Sequence, residues 1–144
     1  LRVRRIGQRR IQTVKAGSAP AAGVFDRAEW EQAIDGEGPD LAAAAGTALE
    51  PLLTREARET LAPVFSVRVR RRGAVLRQSE SEMEATLDEG AVEGVGRSEP
   101  LCELELELKR GRPADLFALA LDLDAVAPLR LGIRPKSERG YALV

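Results

Sequence analysis

Glutamates occupy every second position of one segment, Glu103, Glu105 and Glu107, with leucines between them. If this segment is a β-strand, alternate side chains share a face about 6.6 Å apart, so the three carboxylates form a row. Carboxylate oxygens are the ligands that hard divalent cations prefer. Glu29 and Glu31 repeat the spacing on either side of a tryptophan. Both segments are therefore candidate metal-binding strands.

Basic side chains show the same alternation elsewhere in the chain. Arg2 and Arg4 alternate with aliphatic residues, and so do Arg68 and Arg70. Arginine holds phosphate oxygens through paired N–H donors. These segments are therefore predicted to be strands with one phosphate-binding face.

The two signs of charge are sorted along the sequence. Ten acidic residues and one basic residue lie between Glu80 and Glu107, whereas residues 1–15 and 64–78 contain basic residues and no acidic ones, although the net charge is only −1. The ordinary alternative is that these are solvent-facing sides of antiparallel strands, or a ladder of structural salt bridges. If the sheet closes into a barrel, however, the charged face lines a lumen that holds one small ligand. The pattern then predicts a site for a polyanion and a metal.

The periodicities predict an α+β fold of antiparallel strands with peripheral helices. Pro113 is expected at the start of a helix, where its missing N–H costs nothing. Asp40 and Thr54 are expected to cap two earlier helices. The predicted strands are 1–5, 10–15, 25–34, 64–71, 74–78, 82–87 and 101–109; the predicted helices are 40–53, 54–61 and 113–126; residues 15–23 are a predicted loop; and 129–133 and 140–144 are short final pieces.

Composition excludes several classes of function. The chain has no histidine, which removes His-based catalytic triads and His-ligated metal sites. Its single cysteine, Cys102, rules out an internal disulfide, favours a cytoplasmic location and is expected in the core opposite the glutamates. No apolar run reaches the roughly 18 residues of a membrane helix. The 3% aromatic content and near-neutral charge make a nucleic-acid partner the weakest reading.

Six motifs in order resemble CYTH domains, the triphosphate tunnel metalloenzyme family, and in particular its bacterial inorganic triphosphatase type. The motifs span almost the whole chain. They are Leu1-Arg2-Val3-Arg4-Arg5 with Gln12-Thr13-Val14-Lys15-Ala16, Arg27-Ala28-Glu29-Trp30-Glu31, Phe65-x-x-Arg68-x-Arg70, Glu84-x-x-Leu87-Asp88-x-Gly90, Cys102-Glu103-Leu104-Glu105-Leu106-Glu107-Leu108-Lys109-x-Gly111, and Lys136-Ser137-Glu138-Arg139-Gly140-Tyr141.

The resemblance implies a fold, an activity and a set of site residues. The fold would be a single domain over residues 1–144, an antiparallel eight-stranded tunnel. The activity would be metal-dependent hydrolysis of a triphosphate, with inorganic triphosphate first, and with Mg²⁺ or Mn²⁺ as cofactor. Glu103 and Glu105 would be catalytic. The implied metal ligands are Glu29, Glu31, Glu103, Glu105 and Glu107, and the implied substrate-binding residues are Arg2, Arg4, Lys15, Arg68, Arg70, Lys136 and Arg139.

One departure from the family pattern affects these expectations. Near its N-terminus the family has a Glu-x-Glu-x-Lys strand, usually followed by Tyr-x-Asp-Thr before the first arginine pair, and neither motif precedes the arginine pair here. We therefore expect the domain to be incomplete at its N-terminus and this chain alone to be inactive. Alternatives that stay open are a non-catalytic polyphosphate- or nucleotide-binding module, or adenylate cyclase or thiamine triphosphatase activity within the same family. The resemblance also suggests a helical polyphosphate-associated domain in a larger protein.

Overall fold

The computed structural model describes residues 1–17 and 27–144, and the chain divides into two compact units, Leu1–Ala62 and Pro63–Val144. The class is α+β, as predicted. Each unit contains one three-stranded antiparallel sheet among its described residues. The elements are β1 (Arg2–Ile6), β2 (Arg9–Ala16), β3 (Ala28–Ile34), a 3₁₀ helix (Glu50–Leu52), α1 (Arg55–Thr60), β4 (Ser66–Gln78), β5 (Ser81–Glu93), β6 (Ser98–Arg110), α2 (Pro113–Val126) and α3 (Lys136–Tyr141).

The first unit confirms the predicted N-terminal hairpin. Strands β1 and β2 are joined by a tight turn at Gly7, whose φ of +58° is a conformation that favours glycine. Strand β3 completes the sheet on the other side of β2. The predicted strand 25–34 is thus confirmed from Ala28 onward, and its first two residues and most of the predicted loop 15–23 lie outside the described residues.

The predicted alanine-rich helix over residues 40–53 is wrong. The segment is a series of turns followed by the 3₁₀ helix. Asp40 does cap the first turn, because its Oδ1 accepts hydrogen bonds from the amides of Ala42 and Ala43. The chain then passes through Gly46 at φ +75° and reaches Pro51, which has no amide to donate, so a regular helix is not continued. The shorter helix is confirmed as α1, capped by Thr54.

The second unit has longer strands than the sequence predicted. Strand β4 runs continuously through Gly73, where the sequence suggested a break between 64–71 and 74–78. It turns directly into β5 at Ser79-Glu80, with Ser79 at a φ of 56°. Strand β6 then pairs with β5 along almost its whole length. Each strand holds 13 residues, so one sheet face displays several cross-strand rows.

Two helices follow this sheet. Helix α2 has the predicted bounds, with Pro113 in its first turn, and contacts β6. Helix α3 replaces the predicted piece 140–144, and 129–133 has no regular structure. Leu143, just after α3, packs with Val92 and Leu101 as the buried apolar cluster of this unit. The segment therefore folds onto the sheet as a helix and adds no further strand.

The resemblance implies an eight-stranded tunnel whose N-terminal strands are absent from this chain. The described residues form six antiparallel strands in two sheets, which is consistent with that fold and does not show eight strands. One other expectation needs correction. Cys102 is exposed rather than buried, because it shares a sheet face with Glu89 and Arg70, which are also exposed. No helix among residues 1–17 and 27–144 has the length and hydropathy to cross a membrane.

Candidate functional site

One row of side chains crosses all three strands of the second sheet. Arg71 of β4 pairs with Asp88 of β5, which pairs with Glu103 of β6. Directly opposed residues of antiparallel strands share a face and approach within about 5 Å. The next position on β6 that shares this face is Glu105. The register therefore brings one arginine and three carboxylates together.

Asp88 is the centre of this row and is fully buried. Its Oδ1 accepts a hydrogen bond of 2.7 Å from Nε of Arg71, and its Oδ2 accepts one of 2.6 Å from Nη2. This is the two-point pairing that matches a guanidinium edge to a carboxylate. Nη2 of Arg71 also donates to Glu105 Oε2 at 2.9 Å. Arg71 is thereby fixed against both acidic strands.

Helix α3 supplies a second cation to the same face. Nζ of Lys136 lies 3.0 Å from Asp88 Oδ2 and 3.0 Å from Glu105 Oε1, and it also donates to Glu103. Three carboxylates from two strands thus converge on one ammonium group. Only 17% of the Lys136 side chain is exposed.

Arg139, one turn later on α3, binds residues near the start of β6. Its Nε donates to Glu99 Oε1 at 2.8 Å, and its Nη2 donates to the carbonyl of Pro100 at 2.7 Å. Its Nη1 lies 3.6 Å from Glu103 Oε2. Both predicted basic residues of α3 are therefore brought to the glutamates of β6.

The local charges set the ionisation of these groups. Burial raises the pKa of Asp88, but hydrogen bonds and positive charge from Arg71 and Lys136 outweigh burial and leave the pKa lowered. The same balance lowers the pKa of Glu105. For Lys136, burial lowers the pKa, but its three carboxylate partners more than compensate and raise it. Asp88 and Glu105 are therefore ionised and Lys136 is protonated at neutral pH.

The sheet does not bring every predicted residue to this cluster. Glu107 is on the same face but pairs with Lys109 at 2.7 Å. Arg68 and Arg70 lie on the opposite face, because their register partners are Ala91 and Glu89. Arg68 is largely exposed and lies 3.6 Å from Glu93. The arginine of β4 that reaches the glutamates is Arg71.

Five predicted residues come together on one face of the first sheet. The register aligns Arg2 with Thr13 and Glu31, and Lys15 with Glu29. Thr13, almost fully buried, accepts a hydrogen bond from Arg2 at 3.3 Å and donates one to Glu31 at 3.0 Å. The residues predicted from the sequence that share this face are Arg2, Arg4, Lys15, Glu29 and Glu31.

The cations of this face outnumber its carboxylates. Arg2 and Arg4 lie 3.7 Å and 3.8 Å from the same Glu31 oxygen. Lys15 donates to Glu29, and burial, which raises the pKa of Glu29, is outweighed by Lys15 and neighbouring arginines, so this pKa is lowered. The Nε of Arg4 is buried and has no hydrogen-bond acceptor in the described part of the chain. This face is suited to an additional anion.

The predicted metal ligands are paired with basic side chains in this structure. Among residues 1–17 and 27–144, no group of three or more Asp, Glu or Cys side chains is placed to hold a metal ion. Oxygen donors of the right chemistry are present, but those of Glu103, Glu105 and Glu29 bind lysine ammonium groups. As placed, these carboxylates bind basic side chains rather than a metal ion.

A family model for the CYTH domain matches residues 1–141. This chain belongs to the CYTH domain family. The resemblance carried by the six sequence motifs is thereby confirmed. Of the site residues, the CYTH motifs quoted above led to Glu103, Glu105, Lys136 and Arg139, which the structure does bring together.

The CYTH chain also matches a curated bacterial protein. It is 29% identical over 144 residues to the inorganic triphosphatase of Haemophilus influenzae (strain ATCC 51907 / DSM 11121 / KW20 / Rd), an alignment that covers 99% of this chain. The same alignment covers 40% of the relative, so the chain spans less than half the length of the protein it matches.

Sequence reasoning gave no site role to Arg71 or to Asp88, although Asp88 lies within one of the six quoted motifs. The family motif indicated Arg68 and Arg70 instead, which lie on the other face. The sequence signal that could have identified Arg71 is the two-residue turn at Ser79-Glu80. In a hairpin, residues at equal distances from the turn are paired, so this turn pairs Asp88 with Arg71 if the strand continues through Gly73. A predicted break in the strand at Gly73 removes that inference.

Proposed function

We propose that this CYTH chain serves the hydrolysis of a triphosphate, with inorganic triphosphate as the substrate and a divalent cation as cofactor. The observation that carries the proposal is the convergence of Arg71, Lys136 and Arg139 on the carboxylates of β5 and β6. The named activity of the bacterial relative supports the same reaction. The substrate would be a small, highly charged anion.

Phosphoryl transfer suits a chain of this composition. The reaction depends mainly on positioning and charge neutralisation, so it needs neither a histidine nor a cysteine nucleophile. Basic side chains would hold the phosphate oxygens through charge-assisted hydrogen bonds. The proposed substrate-binding residues are Arg2, Arg4 and Lys15 in the first unit, and Lys136, Arg139 and Arg71 in the second. Arg68 and Arg70 remain predictions of the family motif alone.

Glu105 and Glu103 are the proposed catalytic residues. Glu105 has 48% of its side chain exposed, so it can reach a water molecule while Arg71 and Lys136 hold its other contacts. Because its pKa is lowered, Glu105 is ionised at neutral pH and accepts a hydrogen bond from that water. Its part is to orient the attacking water rather than to be a strong base.

A requirement for Mg²⁺ or Mn²⁺ is proposed from the family resemblance. The proposed ligands are Glu29, Glu31, Glu103, Glu105 and Glu107, but within each unit the carboxylates are engaged by basic side chains and form no three-carboxylate group in the described residues. The requirement for a divalent cation is therefore tested directly, by chelation with EDTA. A helical polyphosphate-associated domain elsewhere in the protein is likewise a proposal.

The test is phosphate release from inorganic triphosphate, ATP and thiamine triphosphate, each with Mg²⁺, with Mn²⁺ and with EDTA, for this chain and for the full-length protein that contains it. We expect the full-length protein to release phosphate from inorganic triphosphate until EDTA is added, and this chain alone to release none. Faster cleavage of thiamine triphosphate, or cyclisation of ATP, would transfer the assignment to another activity of the family. Release that is unaffected by EDTA would remove the cation from the proposal.

One observation favours a second candidate, a non-catalytic polyphosphate-binding module. The carboxylates that would hold a metal are occupied by Lys136 and Lys15. A module of this kind binds triphosphate, as calorimetry would show, but releases no phosphate from any of the three substrates. That combination of results would replace hydrolysis with binding.

A further inference from the structure

Asp88 is a buried carboxylate that holds two cations from two different elements. Its side chain has 0% exposure, so neither oxygen can touch a ligand. Both oxygens are used: Oδ1 accepts from Arg71, and Oδ2 accepts from Arg71 and lies 3.0 Å from Nζ of Lys136. Asp88 therefore acts on strand β4 and on helix α3 at once.

The guanidinium of Arg71 has its Nε and Nη2 groups held and its Nη1 group open within the described residues. Nε and Nη2 form the edge that binds Asp88, and Nη2 also binds Glu105. Nη1 donates no hydrogen bond within residues 1–17 and 27–144, and 41% of the side chain is exposed. Because the guanidinium is planar and its donors are in a fixed fork, fixing one edge fixes the direction of the other.

We propose that Asp88 is a positioning residue for anion binding, acting through Arg71 and Lys136. It turns the open Nη1 group of Arg71 toward solvent on the face that carries Glu105, and it anchors the ammonium of Lys136 beside it. The anion class is phosphate, and this inference rests on the proposed function for the identity of the ligand as triphosphate.

The neighbouring position provides a matched control. Arg72 and Glu89 also form an ion pair between β4 and β5, on the opposite face. They lie diagonally to each other, since the register aligns Arg72 with Leu87 and Glu89 with Arg70. Glu89 is exposed, unlike Asp88. An exposed arginine–carboxylate pair between the same two strands, on the other face, separates the effect of position from the effect of losing a carboxylate.

The experiment measures the dissociation constant of inorganic triphosphate by calorimetry in EDTA, so that turnover plays no part. Asp88→Asn keeps the shape of the side chain but offers one acceptor where Arg71 needs two. We expect binding to weaken by about tenfold, the scale of one charge-assisted hydrogen bond. Glu89→Gln is expected to change it by less than about twofold, since exposed pairs contribute little.

A double-mutant cycle identifies the route through Arg71. In an Arg71→Met background, Asp88→Asn should cost much less than it does alone, because its effect passes through the removed side chain. The Arg72→Met and Glu89→Gln cycle should show no such coupling for triphosphate binding. The arginine Nε–H NMR signal of Arg71 should also move in Asp88→Asn, which a general loss of stability would not cause in the folded protein.

If Asp88→Asn fails to fold, Arg71→Lys takes its place. Lysine keeps the charge but cannot present two fixed edges, so binding should still weaken by about tenfold, whereas Arg72→Lys should bind normally. Folded Asp88→Asn with unchanged affinity, or full additivity with Arg71→Met, would overturn the positioning role. Binding without hydrolysis by the unmodified protein contradicts only the proposed function, and absence of binding overturns both.

Discussion

Gly140 of α3 lies directly against the aromatic ring of Phe65. A Cβ at position 140 would stand 2.2 Å from Cδ2 of that ring, far inside van der Waals contact. The close approach lets α3 pack on the apolar end of the sheet. There the rings of Phe65 and Tyr141 also pack edge to face, with their centroids 5.3 Å apart. The same packing places Lys136 and Arg139 over the carboxylates of β6. Packing at one end of the face thus sets the charge arrangement at the other.

Gly140→Ala should therefore weaken both the fold and the site. The added methyl group cannot fit against Phe65 unless α3 moves, and overpacking of this kind costs about 1–3 kcal/mol of unfolding free energy. Because Lys136 and Arg139 move with the helix, triphosphate affinity should fall as well. Urea denaturation and calorimetry measure the two effects.

Gly132→Ala is the control for this change. A Cβ at position 132 would meet no atom within 4 Å, so stability and affinity should remain close to those of the unmodified protein. Equal behaviour of the two alanine variants would show that α3 is not held by the contact between Gly140 and Phe65.

Arg71→Met should reduce triphosphate affinity more than Arg70→Met does. Arg71 contacts Asp88 and Glu105, whereas Arg70 lies on the opposite face of β4. Loss of a charged donor to phosphate is expected to weaken binding by about tenfold. The family motif makes the opposite prediction, so a greater loss with Arg70→Met would favour the motif over the sheet register.

The site was predictable where it depended on local pattern. Alternation alone found the glutamate row of β6 and the acidic pair of β3, and the proline signal found the start of α2. Those features need only a period of two or a helix start. Membership of the CYTH family was predicted from the order of six motifs, which is read from the sequence without any knowledge of contacts.

The rest depended on contacts distant in sequence. Asp88 pairs with Arg71 because β4 continues without interruption through Gly73. From the sequence alone, a glycine at this position is equally consistent with the end of a strand. Helix α3 has only six residues and is stabilised by packing on Phe65, so it could not be predicted from helix propensity alone. In residues 40–53 helix propensity was misleading, because Gly46 and Pro51 interrupt the alanine run.

Glu105→Gln should lower kcat by about a hundredfold, the lower range for a group that orients a reacting proton donor or acceptor. The amide keeps the size of the side chain but loses the charge that orients water and pairs with Arg71 and Lys136. The Michaelis constant for triphosphate should change much less, because repulsion between Glu105 and the anion is also removed. Steady-state phosphate release by the full-length protein that contains this chain separates the two quantities.

Glu89→Gln is the matched control for Glu105→Gln, since Glu89 is also a glutamate of this sheet but lies on the opposite face. It should leave kcat and the Michaelis constant unchanged. A Glu105→Gln enzyme that keeps the full kcat would exclude Glu105 from the chemical step.

Acid should remove the stability that Asp88 provides. Its pKa in the folded protein lies below the ordinary value of 3.8, so the unfolded chain takes up a proton first as the pH falls. The contribution is therefore fully present above about pH 4 and declines as the pH drops through the lowered folded-state pKa. Asp88→Asn should cost roughly 3 kcal/mol at pH 6, the low end for breaking a buried ion pair, because Arg71 is partly exposed. Urea denaturation at pH 6, 4 and 3 should show that the difference in unfolding free energy between the unmodified protein and Asp88→Asn becomes smaller as the pH falls. A difference that stays constant across this range would mean that Asp88 stabilises the sheet through its shape and not through its charge.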